Sequence, residues 1–208
     1  MKYDGIIFDL DGTLWDATQP IMISWGMALR DAPDVKTLPT REQLESVMGM
    51  TAENLMATLF PYLSPQRHLE LFDLCCQVET DYLRKHGGQL YPHLEETLDR
   101  LSQRLPLFIV SNCNKEYIPC FLDAHKLHSY FKDWECIGRT GQPKGENIQL
   151  IAQRNGLKAP VYVGDTTLDQ EAAKQAGVPF IHAAYGFGQI SGVEEIKEPK
   201  DLLQLLED

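Results

Sequence analysis

Short apolar runs that stop abruptly at small or polar residues recur along this chain. Gly5-Ile6-Ile7-Phe8 ends at acids, and Leu107-Phe108-Ile109-Val110 ends at Ser111-Asn112. Val161-Tyr162-Val163 ends at Gly164-Asp165, and Pro179-Phe180-Ile181 ends at His182. Runs this short, without polar alternation, predict buried strands of a parallel sheet. Between the later runs the period changes. Leu94, Leu98, Leu101 and Leu105 share one helical face. Segments 145–154 and 168–175 also read as helices, each followed by a glycine stop, Gly156 and Gly177. From residue 89 onward strand and helix therefore alternate, which predicts an α/β fold with a doubly wound, mainly parallel, Rossmann-like sheet.

Residues 16–87 break this rhythm. They lack β-branched runs and read as helices over Ile21 to Ala32, Thr40 to Met48, Ala52 to Leu59 and Pro65 to Lys85, with Pro33, Pro39, Pro61 and Pro65 at the breaks. A helical block inserted after the first strand is expected to be an α-helical cap domain, 16–87, on a core formed by 1–15 and 88–208. Gly87-Gly88 supplies a return hinge. The last stretch, Pro199 to Asp208, predicts an amphipathic helix using Leu202, Leu203, Leu205 and Leu206.

Composition narrows the class. The 208 residues are 43% hydrophobic and 24% charged, an ordinary globular balance. The net charge of −11 argues against nucleic acid or an anionic membrane surface as a partner. Five cysteines, with no C-x-x-C pair, argue against a disulfide framework or a thiolate zinc site. The apolar run near the N-terminus is too short for a signal-peptide core, and no segment approaches a membrane span, so the expected compartment is the cytoplasm.

Candidate chemistry sits where the apolar runs end. Asp9 and Asp11 are two positions apart at the end of the first run, so their side chains tend to one side. Two close carboxylates need a cation or a shared proton, and oxygen clusters favour hard cations such as Mg2+. Gly12 permits a sharp turn and Thr13 can bond back to hold it; alone, the segment also reads as an acidic turn. Ser111-Asn112 can hold phosphate oxygens without adding charge, or can be a simple turn. Lys144 lies at the predicted start of a helix, where a cation opposes the helix dipole. It reads either as neutralising a bound anion or as a solvated lysine. Asp165 and Asp169 are one helical turn apart and can both face a metal, or can be a cap and an ordinary helix acid.

Taken together, Asp9-Leu10-Asp11-Gly12-Thr13, Ser111-Asn112, Lys144 and Gly164-Asp165 with Asp169 resemble the haloacid dehalogenase-like superfamily across essentially the whole chain. The helical insert is similar to the small cap of its phosphoglycolate-phosphatase-like members. The resemblance implies a Mg2+-dependent phosphatase acting on a small phosphorylated metabolite of the phosphoglycolate, sugar phosphate or nucleotide class. It implies Asp9 as nucleophile forming an aspartyl-phosphate and Asp11 as acid/base. It implies Gly12 and Thr13 orienting the loop, and Ser111, Asn112 and Lys144 on the phosphoryl group. Metal ligands would be Asp9, the Asp11 carbonyl and Asp165, with Asp169 behind them. A β-phosphoglucomutase-like phosphomutase and a non-catalytic phosphate binder are the alternatives, and either a monomer or a homodimer is compatible. The charges agree independently: four acids and a phosphate monoester of about −2 face only Lys144, so a divalent cation is needed.

Arg41, Arg67, His68, Arg84, Lys85 and His86 in the insert read better as a solvated face than as substrate contacts. Trp15 and Trp25 are candidates for the cleft or for packing. Arg139-Thr140-Gly141-Gln142 and Tyr185-Gly186-Phe187-Gly188 read as loops without an assigned role.

Overall fold

The computed structural model describes residues 2–205. Among these, the elements in chain order are β1 (Gly5–Phe8), β2 (Trp15–Asp16), α1 (Thr18–Leu29), α2 (Arg41–Val47), α3 (Ala52–Leu59), α4 (Pro65–His86) and β3 (Gln89–Leu90). They continue with α5 (Leu94–Ser102), β4 (Leu107–Ser111), α6 (Tyr117–His125), β5 (Phe131–Cys136), α7 (Ile137–Thr140) and α8 (Lys144–Arg154). The last are β6 (Pro160–Gly164), α9 (Thr167–Ala176), β7 (Phe180–Ala183), β8 (Glu195–Ile196) and α10 (Asp201–Leu205). The expected terminal helix is present as α10, starting at Asp201 after a turn at Pro199 and Lys200, and the part of the expectation from Leu206 on falls outside the described residues.

The sheet has the order β5-β4-β1-β6-β7-β8, with every neighbour pair parallel. The four apolar runs are its four most protected strands, β4, β1, β6 and β7. Side chains alternate across it. Ile6 and Phe8 join the core on one face, while Ile7 joins Phe108, Val110, Ile148, Ile151 and Tyr162 under α8 and α9 on the other. Strand β5 was not legible as a strand. Lys132 is exposed, Asp133 and Trp134 are half-buried, and only Phe131, Glu135 and Cys136 are buried, as suits an edge.

The insert differs in construction. Helix α4 is the spine, with α1 and α3 packed along it and its far side against α6. Pro65 at its first turn and the Ser64 side chain bonded to Arg67 N start it, and Gly87 ends it. Helix α1 begins three residues earlier than expected, at Thr18, because Pro20 is tolerated in a first turn. The insert's apolar face, including Ile21, Trp25, Leu44, Met56, Phe60 and Leu71, is continuous with the core on the β1 face. Its two chain crossings run side by side, since β2 pairs antiparallel with β3 through Trp15 with Leu90 and Asp16 with Gln89.

Among the described residues, no helix is long and apolar enough to cross a membrane. All five cysteines are free; Cys75, Cys120 and Cys136 are buried.

Candidate active site

Parallel strands all release their chains at one edge of the sheet, so β1, β4 and β6 deliver Asp9, Ser111 and Asp165 to one place. Lys144 reaches the same place by another route, as the first residue of α8 rather than from a strand end. It is not a solvated lysine: its side chain is 3% exposed. Its Nζ donates to Asp9 Oδ1 at 2.9 Å and to Asp169 Oδ1 at 2.7 Å.

Asp169 is fully engaged. Its Oδ1 also accepts from the Tyr162 hydroxyl at 3.3 Å, and its Oδ2 accepts from Thr166 N at 2.9 Å and Thr166 Oγ1 at 2.6 Å. The last contacts form a capping box, so the helix cap is Thr166 and neither aspartate. Asp165 is held differently. Phe187 N donates to Oδ2 at 2.7 Å and Thr13 Oγ1 to Oδ1 at 3.4 Å.

Two glycines make this packing possible. Gly12 has φ +80°, and a Cβ there would strike the Asp165 carboxylate. A Cβ at Gly186 would strike Asp165 from the other side. The loop 185–188, left without a role by its sequence, therefore closes over Asp165, and its Tyr185 hydroxyl bonds the Thr13 carbonyl at 2.9 Å. The repeated glycines were the available signal.

Carboxylate oxygens of Asp9, Asp165 and Asp169 lie within 4.8 Å of one another, all buried. Burial, and then Asp169, pushes Asp9 up to about 6. Burial, followed by Asp169 and Asp9, pushes Asp165 up to about 8. Burial works against the charge on Lys144, but Asp169 and Asp9 hold its ammonium well above the usual lysine range. One lysine does not satisfy three carboxylates. An all-oxygen donor set with surplus negative charge fits a hard divalent cation. With Asp169 committed to Lys144, Tyr162 and Thr166, the donors left for it are Asp9 and Asp165.

Asp11 stands apart from that cluster. Its Oδ1 accepts from Trp15 Nε1 at 2.9 Å and from the Tyr117 hydroxyl at 2.8 Å. Burial, and then Asp9, pushes it up to about 7. It lines a cavity between sheet and insert, together with Trp25, Phe72, Glu79, Asn112 and Tyr117. Glu79 is buried there at 5% exposure, with Oε2 accepting from Trp25 Nε1 at 2.5 Å. Burial pushes Glu79 up to about 8. Asn112 spans the two layers, its Nδ2 donating to the Gly49 carbonyl at 3.0 Å. Nothing in the sequence pattern marks Tyr117, Tyr162, Glu79 or Thr166 for these positions.

The profile of the family described as haloacid dehalogenase-like hydrolase matches residues 6–183. The chain is 27% identical to the phosphoglycolate phosphatase of Escherichia coli (strain K12), over 98% of this chain and 90% of that protein. It is 29% identical to that of Aliivibrio fischeri (strain ATCC 700601 / ES114), over 88% and 84%. A haloacid dehalogenase-like family hydrolase from Streptococcus pneumoniae superposes with a TM-score of 0.86 at 22% identity, covering 99% of each chain. A protein described as a predicted phosphoglycolate phosphatase from Haemophilus somnus gives 0.82 at 22% identity, again covering 99% of each.

The chain thus belongs to the haloacid dehalogenase-like hydrolases and is an enzyme of that family. Its curated relatives place it with the family's phosphatases.

Proposed function

We propose that the enzyme hydrolyses the phosphate monoester of a small metabolite by way of an aspartyl-phosphate on Asp9. The observation that carries this reading is the division of labour between two neighbouring acids. Asp9 is fixed by Lys144 at the sheet edge, whereas Asp11, two residues on, is fixed by neutral donors on the wall of the cavity.

An Asp9 carboxylate oxygen attacks phosphorus in line while the bond to the leaving oxygen breaks. Asp11 gives that oxygen a proton, so the product is an alcohol. Asp11 then takes a proton from the water that attacks the aspartyl-phosphate, which releases phosphate and restores Asp9. Lys144 keeps Asp9 oriented and offsets charge on the phosphoryl oxygens, with Ser111 and the Asn112 backbone as further donors. Gly12 and Thr13 hold the loop against Asp165. Mg2+, held by Asp9, the Asp11 carbonyl and Asp165, would offset the remaining negative charge, with Asp169 supporting Lys144. The insert, 16–87, would act as the cap that receives the alcohol half.

The test is phosphate release from sugar phosphates, nucleotides, phosphoglycolate and acetyl phosphate, with Mg2+ and with chelator. Turnover is expected only with Mg2+, and Asp9→Asn should lower kcat by about 10⁴-fold or more. Turnover that survives chelation, or that Asp9→Asn retains, would overturn the reading. Hexose phosphate interconversion without phosphate release would replace it with a mutase.

A further inference from the structure

The cavity beside Asp11 differs from what the relatives' named substrate calls for. Phosphoglycolate carries a carboxylate on its alcohol half, and a buried carboxylate needs a cation or several donors. Among the described residues that line the cavity there is no lysine, arginine or histidine. The charged side chains on its wall are Asp11 and Glu79, both acids.

Three arginines of the insert pair with acids away from this wall. Arg41 pairs with Asp16 and Glu45, Arg67 with Asp34 and Glu70, and Arg84 with Glu116 and Asp123. His68 is turned to the Phe60 carbonyl. Most of the remaining wall is apolar, with Ile21, Trp25, Leu44, Val47, Leu55 and Phe72.

One side-chain oxygen on this wall is a buried acceptor without a donor. Asn112 spends its Nδ2 on Gly49, which leaves Oδ1 buried without a partner. A buried acceptor without a donor is costly, so a ligand that supplies one is favoured over a ligand that adds another acceptor. Size narrows the choice further. The cavity measures about 70 Å³, room for roughly five water-sized groups.

We propose that the alcohol half of the substrate is compact, carries no negative charge, and presents an O–H or N–H donor to the Asn112 side chain, so that phosphoglycolate is a poor substrate of this enzyme. The inference rests on the phosphatase reading above and narrows it.

The experiment is a matched series of two-carbon esters, carboxymethyl phosphate (phosphoglycolate), 2-hydroxyethyl phosphate and 2-aminoethyl phosphate, with propyl phosphate as the donor-free control and acetyl phosphate as the baseline. The hydroxyl and amino esters should each exceed phosphoglycolate in kcat/KM by at least roughly tenfold, and should exceed propyl phosphate as well. Which of the two leads identifies the donor. In Asn112→Leu, the advantage of the hydroxyl and amino esters over propyl phosphate should disappear.

Phosphoglycolate turned over as fast as the donor esters would overturn the inference, as would propyl phosphate matching them. These results come from the wild-type enzyme and stand even if Asn112→Leu fails to fold. Acetyl phosphate separates the two readings. If it is hydrolysed with Mg2+ and phosphoglycolate leads the series, only the substrate class falls. If nothing is hydrolysed, the phosphatase reading falls as well.

Discussion

Two groups of buried acids lie on either side of the first strand's end, and they manage negative charge in opposite ways. Asp9 and Asp169 share an ammonium, Lys144, and both are fixed by it. Asp11 and Glu79 have no cation; an indole and a phenol hold the first, and an indole holds the second. Charge pairing gives a fixed, ionised group. Neutral donors fix position while leaving the proton free to come and go. The first arrangement suits a nucleophile and the second suits an acid/base or a ligand contact.

The sharpest way to break this comparison is to remove Lys144. Lys144→Met should destabilise the fold by about 3–5 kcal/mol, because two buried carboxylates lose their partner. Urea unfolding in chelator measures it, and a loss below about 1 kcal/mol would show that the pair does not depend on the lysine.

On the other side, the sign of the pH dependence is informative. Glu79 sits at about 8 in the folded chain against 4.5 as its ordinary value. Between those pH values the folded chain keeps a proton that the unfolded chain has released, so stability falls as pH rises through this window and levels off above it. Glu79→Gln should remove that part of the slope. Parallel stability–pH curves for wild type and variant would refute a buried, unpaired Glu79.

The smallest effect belongs to Tyr117→Phe. Asp11 keeps its Trp15 bond, so stability should change by no more than about 1 kcal/mol. The expected signature is a loss of about tenfold in kcat with KM little changed. A change confined to KM would make Tyr117 a substrate contact instead of a positioning residue.

Strands β1, β4, β6 and β7 were legible because burial on both faces leaves unbroken apolar runs, and α3 was legible to its end residues because its insert position is amphipathic. Strand β5 was not, since an edge strand with exposed Lys132 resembles a loop. In the site, Asp9, Asp11, Asp165 and Asp169 were visible as short spacings at strand ends. Lys144 was visible too, as a cation at a helix start, but the other partners were not. Tyr117 is 106 positions from Asp11, and Glu79 is 54 from Trp25. Contacts that only the closed sheet and the packed insert create leave no spacing to read.

The β2–β3 ribbon carries a mechanical consequence. Both covalent attachments of the helical layer pass through it side by side, so the natural movement of that layer is a swing about the ribbon as an axle. Trp15 is on the axle, and its indole grips Asp11. A swing that opens the layer would twist the residue that steers the proton donor, so the aim of the acid depends on the position of that layer.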